Sequence, residues 1–140
     1  MRNSIFIQWH HLIFLTGLWG GQVVFHCQAS EIHVSSIAAL QAAINGALAG
    51  DVIVLDNGTY LNSTFAITTS NITVKAATPG GVSLNGANAI TVSGSYVTFS
   101  GFQFTSGSID GIVIVVSGNY VVLTQLNFKG YSAQKYINLQ

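Results

Sequence analysis

The chain has 140 residues, enough for one domain, and it is almost free of charge. Only 6% of the residues are charged, with four Lys and Arg against four Asp and Glu, whereas globular domains usually carry about a quarter. A nucleic-acid-binding protein needs a basic surface for the phosphate backbone, so we expect no nucleic-acid partner. Intrinsic disorder is excluded as well, because 49% of the residues are hydrophobic.

The N-terminal segment, 1–29, has the composition of a secretory signal peptide. Arg2 gives a positive start, residues 5–25 are mostly apolar, and Ala29 ends a plausible cleavage motif. The same apolar segment is just long enough to span a bilayer, so an uncleaved anchor is the alternative. We favour a signal peptide over 1–29, removed from a domain over 30–140. This predicts a secreted, extracellular or periplasmic protein with no membrane contact after signal removal.

Three Asn-x-Ser/Thr sequons follow, at Asn57, Asn62 and Asn71. In a eukaryotic secretory pathway such asparagines can carry N-linked glycans. Asn, Ser and Thr are common in this chain, so chance alone produces some of these triplets. We therefore treat the three asparagines as candidate glycosylation sites and only as weak support for secretion.

One helix is predicted after a short strand over 31–34. Ser36 offers an N-cap hydroxyl, and apolar residues recur at helical spacing over 37–48. Gly46 and Gly50 are stop signals. The pattern predicts a single amphipathic helix over 37–48.

Beyond Gly50 the chain repeats itself. The segment 95–104 aligns with 119–128 position by position at a constant offset, and 72–74 align with 97–99 one unit earlier. Each unit holds short strands and turn residues but no helix, which indicates a parallel β-helix in which one unit forms one rung. The inward columns then include Ile72, Val97 and Val121, and also Val74, Phe99 and Leu123; the further matches are Phe102 with Leu126, Phe104 with Phe128, Ile90 with Ile114, and Val92 with Val116.

We therefore predict an all-β fold, a right-handed parallel β-helix with an N-terminal capping helix. An end rung exposes an open sheet edge, and the helix over 37–48 would cover the first one. Residues 135–140 predict a new strand with Ile137 and Leu139 pointing inward. On this prediction the β-helix is incomplete at the C-terminus, and the chain is an N-terminal fragment of a longer, monomeric protein.

The stretch 72–82, followed by 84–86, 90–94 and 101–104, resembles polysaccharide lyase family six, the family of chondroitinase B and alginate lyases. The same order occurs there: a strand, Lys-Ala, a Pro-Gly turn, a strand, Gly, a strand, and a Gly-aromatic turn. The resemblance covers residues 35–137. It implies a pectin-lyase-like solenoid that cleaves an acidic, uronate-containing polysaccharide, such as alginate or chondroitin and dermatan, by β-elimination.

The implied chemistry removes the proton beside a uronate carboxylate, whose charge must be neutralised, typically by a cation. A base must lie within hydrogen-bonding distance. Members of the family use a Lys base, a nearby Arg, and often calcium held by Asn and Glu side chains. After Ala29 this chain has no Arg, and Glu31 is its one Glu. We therefore predict no catalytic residue, no metal site and no cofactor in this chain, with calcium expected only in a full-length protein.

Three residues close to a predicted turn are the candidates for substrate binding: Lys129, Tyr131 and Lys135. They would line the start of a groove for an anionic polymer, the acidic polysaccharide being the expected partner. The competing interpretation is that they are solvated loop residues, since an exposed Lys usually needs no special explanation.

The remaining ionisable residues predict structural roles. Asp51, Asp56 and Asp110 stand next to Gly or Asn, which favours turns over calcium ligation. Lys75 follows the inward Val74 and is expected to face solvent. His33 lies beside the first strand and is expected to pack on the surface or against the cap.

Two other functions stay open. A non-catalytic β-helix for glycan binding or surface adhesion would share this fold, and a cluster of Lys, Arg, Asn and Glu on one face of later rungs would favour the lyase instead. An ice-binding β-helix would need a flat outward Thr ladder. Thr73 and Thr98 align, but Val122 breaks the column in the next rung.

Overall fold

The computed structural model describes residues 28–140, so most of the predicted signal peptide lies outside the described residues. Within that range the chain forms one helix, α1 (Ile37–Gly46), and eleven strands. The strands are β1 (Glu31–Val34), β2 (Val52–Leu55), β3 (Gly58–Leu61), β4 (Thr64–Ile67), β5 (Thr73–Ala76), β6 (Val82–Asn85), β7 (Ala89–Val92), β8 (Thr98–Ser100), β9 (Phe102–Val116), β10 (Val122–Thr124) and β11 (Asn127–Leu139).

The strands stack into three parallel ladders, which are the faces of a β-helix. Face 1 consists of β1, β2, β5, β8 and β10. Face 2 is formed by β3, β6 and the first halves of β9 and β11, and face 3 by β4, β7 and the second halves of the same two strands. Every pairing between these strands is parallel. The predicted parallel β-helix is confirmed.

The register of the ladders agrees with the repeat in the sequence. Phe99 pairs with Leu123 on face 1, and Phe104 pairs with Phe128 on face 2, both at the offset that the sequence predicted. Val74 pairs with Phe99 one rung earlier. The first full rung is shorter, because Ile53 and its partner Val74 are closer in the chain than Val74 and Phe99. Rung length therefore varies while the inward columns stay aligned.

The core is a stack of apolar side chains inside the three faces. Phe99 lies over Phe102 with ring centroids 4.3 Å apart, and Phe104 stacks on Phe128 at 4.6 Å. Such aromatic pairs add about 0.5 to 1.5 kcal/mol beyond the burial of their surface. The largest fully buried side chains are Phe99, Phe102, Phe104, Leu40, Ile44, Ile53, Leu55, Ile67, Leu84, Ile90, Ile114 and Val54.

Helix α1 covers the N-terminal end of this core, as predicted. The Ser36 hydroxyl accepts the Ala39 N–H at 3.1 Å and so caps the helix. The side-chain amide of Gln41 pairs with the open edge of β4, accepting the Ala66 N–H at 2.8 Å and donating to the Ala66 carbonyl at 3.0 Å. One side chain thus satisfies the backbone groups that a neighbouring strand would satisfy. No helix within residues 28–140 is both long and apolar enough to cross a bilayer.

The helix ends earlier than the sequence pattern predicted. It stops at Gly46, and Leu48, the last predicted apolar position, is exposed. It ends at the predicted stop signal Gly46, and beyond it the Asp51 carboxylate accepts the Leu48 N–H at 2.8 Å and the Ser30 N–H at 2.9 Å. These bonds hold the chain in a turn, so the predicted turn role of Asp51 is confirmed.

The strand predicted over 135–140 is present, but its predicted first residue is wrong. Strand β11 already begins at Asn127 and runs through this segment. Ile137 and Leu139 lie in register with the inward Ile114 and Val116, as expected. Both are nevertheless exposed, because β11 pairs only with β9 among the described strands.

The pKa of Asp51 provides a test of this N-terminal turn. The N–H groups of Leu48 and then Ser30 lower it below its ordinary value of 3.8, so the folded state favours the ionised carboxylate. This stabilisation is present above pH 3.8 and is lost as the pH falls through the lower, folded-state pKa. We expect Asp51→Asn to lower the free energy of unfolding at neutral pH, and the difference from wild type to shrink in acid. Urea unfolding at a series of pH values measures it.

Asp110→Asn is the matched control, because its carboxylate is exposed and accepts from a side chain, Gln134. A difference between wild type and Asp51→Asn that does not change with pH would contradict the role of the ionised carboxylate.

Candidate functional site

The corner between faces 2 and 3 is widened in the last two rungs. Asn85 pairs with Thr105, and Ile90 pairs with Ile114. The chain from Thr105 to Ile114 within β9 is longer than the chain from Asn85 to Ile90, which joins β6 to β7. The additional chain bulges outward. We call residues 106–111 of β9 and 130–134 of β11 the wide corner.

Tyr131 supports the wide corner from inside. Its side chain is buried, and its hydroxyl accepts the Asn88 N–H at 2.9 Å and lies 3.3 Å from Asn88 Nδ2. Asn88 is fully buried and accepts the Ser63 N–H at 2.8 Å. The Tyr131 ring also meets Phe104 edge-on, with centroids 6.0 Å apart. Tyr131 therefore lies within strand β11 with its side chain in the hydrophobic core, whereas the sequence analysis predicted a position near a turn.

The outer side of the wide corner carries a shallow groove of about 340 Å³. It is lined by Ser108, Ile109, Asp110, Ser132, Ala133 and Gln134. The Asp110 carboxylate accepts a hydrogen bond from Gln134 Nε2 at 2.6 Å. Asp110 lies within β9 and not in a turn, so the predicted turn role is wrong. The extended bulge replaces the turn that its glycine neighbour suggested.

The two candidate lysines lie on β11, before and after the groove-lining residues. Lys129 pairs in register with Thr105, and Lys135 pairs with Ile112. Both are exposed, and Lys135 Nζ donates to Asn138 Oδ1 at 3.3 Å. Both were predicted to lie near a turn, with Lys135 at the start of a new strand, and in the structure both lie within β11. The structure puts both lysines at the surface of the same strand and separates them from Tyr131, which points into the core.

A polar network lies next to Lys129 on the outer surface of face 2. Asn85 Oδ1 accepts from Thr105 Oγ1 at 2.6 Å and from Ser83 Oγ at 3.1 Å, and the two hydroxyls are 2.7 Å apart. These side chains are half-buried and uncharged. Hydroxyl and amide groups of this kind suit a ligand rich in hydroxyls.

A charge cluster lies on the outer surface of face 1, in the first rungs. His33 is 3.1 Å from Glu31 and 3.4 Å from Asp56, while Lys75 Nζ is 3.6 Å from Glu31. All four side chains are at least a third exposed, so each pair adds only about 0 to 1 kcal/mol. Among residues 28–140 no group of three or more His, Cys, Asp and Glu side chains is arranged to hold a metal ion.

Among residues 28–140 the clearly perturbed pKa values have causes within the fold. Apart from Asp51, the clear case is Tyr60, whose pKa is raised by burial and then by the charge of Asp56. The Tyr60 hydroxyl donates to the Asp56 carbonyl at 2.8 Å. Neither Asp51 nor Tyr60 lines the groove.

The three sequon asparagines lie at exposed corners. Asn57 Oδ1 accepts from Thr78 N and Oγ1 in the next rung, at 3.1 and 3.0 Å. Asn62 Oδ1 accepts the Ala87 N–H at 2.9 Å. Asn71 has a positive φ of 58°. Glycosylation at these residues stays a prediction.

Tyr131→Phe tests the buried bond beneath the wide corner. Removing the hydroxyl leaves the Asn88 N–H without its partner in the core, which costs about 1 to 3 kcal/mol of unfolding free energy. Tyr120→Phe is the control, because that ring is exposed and the same loss of a hydroxyl is expected to be neutral. Equal stabilities of the two variants in urea unfolding would contradict the assigned bond.

Gly107→Ala tests the packing of the same corner on the rung below. A Cβ atom at Gly107 would clash with the backbone of Gly86, whereas one at Gly111, in the same strand, meets nothing within 4 Å. Overpacking of this kind typically costs about 1 to 3 kcal/mol. We expect Gly107→Ala to lower the melting temperature and Gly111→Ala to leave it nearly unchanged. Similar melting temperatures for both variants would show that the corner is not close-packed.

Comparison with known proteins identifies related lyases. Residues 34–117 match the family model described as chondroitinase B. A PL6 family polysaccharide lyase from Pseudopedobacter saltans superposes with a TM-score of 0.66 and 29% identity, over 69% of this chain and 24% of its own. A mutant of the PL6 family alginate lyase AlyGC gives 0.62 and 28%, over 70% of this chain and 15% of that one.

A further PL6 alginate lyase, solved as a complex with a trisaccharide, gives a TM-score of 0.60 and 26% identity, over 71% of this chain and 22% of its own. No curated protein sequence matches the chain. The chain thus spans about a quarter or less of the length of these structures. The family match covers more than half of the chain and has the predicted fold, so the chain belongs to the chondroitinase B family, polysaccharide lyase family six.

Proposed function

We propose that the chain forms the N-terminal rungs of a secreted lyase that cleaves an acidic, uronate-containing polysaccharide, such as alginate or chondroitin, by β-elimination. The observation that carries this proposal is the family match over residues 34–117. Two of the similar structures are alginate lyases, and one of these holds a trisaccharide. The proposed location rests on the signal-like composition of residues 1–29 and on the polymeric substrate.

The role proposed for these rungs is to hold the polymer. Lys129 and Lys135 carry positive charge on the strand that lines the groove, and uronate carboxylates are negative. The hydroxyl and amide groups of Ser83, Asn85 and Thr105 lie on the outer surface of face 2, where Thr105 pairs with Lys129. Charge attraction would bring the polymer to the groove, and the uncharged groups would then bond to sugar hydroxyls.

The described residues do not fit the calcium ion that the family implies. The carboxylate of Asp51 is occupied by two backbone N–H groups, and that of Asp110 by Gln134. Glu31 and Asp56 face His33. We therefore assign no step through a metal to this chain, and we propose that the base and the charge-neutralising group of the lyase lie outside residues 28–140.

A non-catalytic glycan-binding or adhesion β-helix is the second candidate. It is favoured by the exposed hydroxyl and amide groups of Ser108, Ser132 and Gln134, which line the groove. The two candidate functions differ in whether a lyase that contains these rungs is active.

Activity assays test the proposal. We expect the chain alone to produce no unsaturated uronate from alginate or chondroitin, measured by ultraviolet absorbance, because the proposal puts the base of the lyase outside residues 28–140. A chimera in which residues 28–140 replace the equivalent rungs of the Pseudopedobacter saltans lyase is expected to keep lyase activity. The same chimera with Gly107→Ala is the control for correct stacking.

Two outcomes would count against the proposal. Turnover by the chain alone would show that it holds catalytic groups of its own. A folded but inactive chimera would favour the non-catalytic β-helix.

A further inference from the structure

Two tyrosines lie stacked on the outside of the β-helix, at the corner that leads into face 1. Tyr96 and Tyr120 have ring centroids 4.8 Å apart and planes 12° apart. They stay 58% and 74% exposed. Asn71 occupies the equivalent position one rung earlier, because Thr73 pairs with Thr98. We call Asn71, Tyr96 and Tyr120 the tyrosine column.

The backbone of this column is unusual for tyrosine. All three residues have left-handed φ values, of 58° at Asn71, 56° at Tyr96 and 54° at Tyr120. The equivalent residue of the preceding rung is Gly50, with φ 98°. Gly and Asn adopt this conformation readily, whereas an aromatic residue is strained there. Stacking of the two rings offsets part of this strain, but both rings stay largely exposed, so burial in the core does not account for them.

The surroundings of the column are uncharged and rich in polar groups. The segments 68–74, 93–98 and 117–122 contain no Asp, Glu, Lys or Arg. Ser70 Oγ accepts the Ser95 N–H at 3.0 Å, and Ser95 Oγ accepts the Asn119 N–H at 3.2 Å. Flat aromatic surface next to hydroxyl and amide groups, without charge, matches a pyranose ring, which has apolar C–H faces and hydroxyl edges.

We propose that the tyrosine column binds the pyranose rings of a polysaccharide chain, at a second site apart from the groove of the wide corner. That this polysaccharide is the uronate polymer rests on the proposed function. The exposed parts of the Tyr96 and Tyr120 rings contact sugar C–H groups, and the Asn71 amide bonds to sugar hydroxyls. Carboxylates of the polymer stay in water, because the column offers no cation. Binding here is therefore insensitive to salt, unlike binding through Lys129 and Lys135.

The test replaces both tyrosines by asparagine, Tyr96→Asn with Tyr120→Asn, in the full chain. Asn tolerates a left-handed φ, so we expect the double variant to melt no lower than wild type. Titration with alginate and chondroitin oligosaccharides at about 1 M NaCl, where charges are screened beyond about 3 Å, suppresses binding through Lys129 and Lys135, and comparison with wild type then gives the contribution of the column. We expect the double variant to bind about tenfold more weakly than wild type.

Two variants serve as controls. Leu61→Asn removes an exposed apolar side chain outside the column, and it is expected to bind at high salt as wild type does. Lys129→Gln with Lys135→Gln is expected to weaken binding at low salt only.

The outcomes separate this proposal from the proposed function. Unchanged high-salt affinity in the folded double variant, or no high-salt binding by wild type to any glycan, would overturn the tyrosine column as a binding site. If uronate binding depended on the lysines alone, the column would be overturned while the proposed function kept its support. Binding of a neutral β-glucan oligosaccharide that the double variant loses, without binding of uronate polymers, would support the column and contradict the proposed substrate.

Discussion

Parallel hydrogen bonding between successive rungs sets each side chain directly against its counterpart one rung away. Val74, Phe99 and Leu123 form one such inward column, and neighbouring strands in it are about 4.8 Å apart. A charged residue repeated in such a column would lie opposite a charge of the same sign at this distance, which is destabilising. The composition obeys this constraint, since only 6% of the residues are charged. Where charges do meet, as at Glu31 and Lys75, they are of opposite sign.

The same constraint explains how the N-terminal end is closed. A rung with no neighbour leaves backbone groups unpaired, and such an edge invites other strands to add to it. Helix α1 covers that end, with Leu40 and Ile44 buried on the core and Gln41 bonded to the backbone of Ala66. The proposed binding surfaces lie instead at the corners and outer faces, where stacking does not dictate the residue type. The groove of the wide corner and the tyrosine column both lie at such corners.

Much of the fold followed from the sequence, because the repeat makes inward positions recur. The pairing of Phe104 with Phe128 and the N-cap at Ser36 could both be predicted. The location of Tyr131 could not, because its burial depends on a corner widened in two adjacent rungs and on contact with Asn88, which is distant in the chain. Local alternation of apolar and polar residues carries no information about either.

The candidate site was predictable only in part. Lys129 and Lys135 are exposed, but the predicted strand began only at residue 135, so the part of β11 that carries Lys129 was missed. The charge cluster on face 1 was missed because it joins the first rungs, whose shorter spacing lies outside the repeat that the sequence revealed. Groups such as His33 and Asp56 become neighbours only when that shorter rung is folded.

Variation in rung length has an evolutionary consequence. Successive rungs differ in length and still keep Ile53, Val74, Phe99 and Leu123 in one column, so hydrogen bonding within the ladders sets the alignment and the corners absorb the difference. Insertions at a corner are then nearly neutral for the core, and selection is free to lengthen or re-sequence them. A solenoid of this kind can acquire new surface loops one rung at a time while its interior stays unchanged.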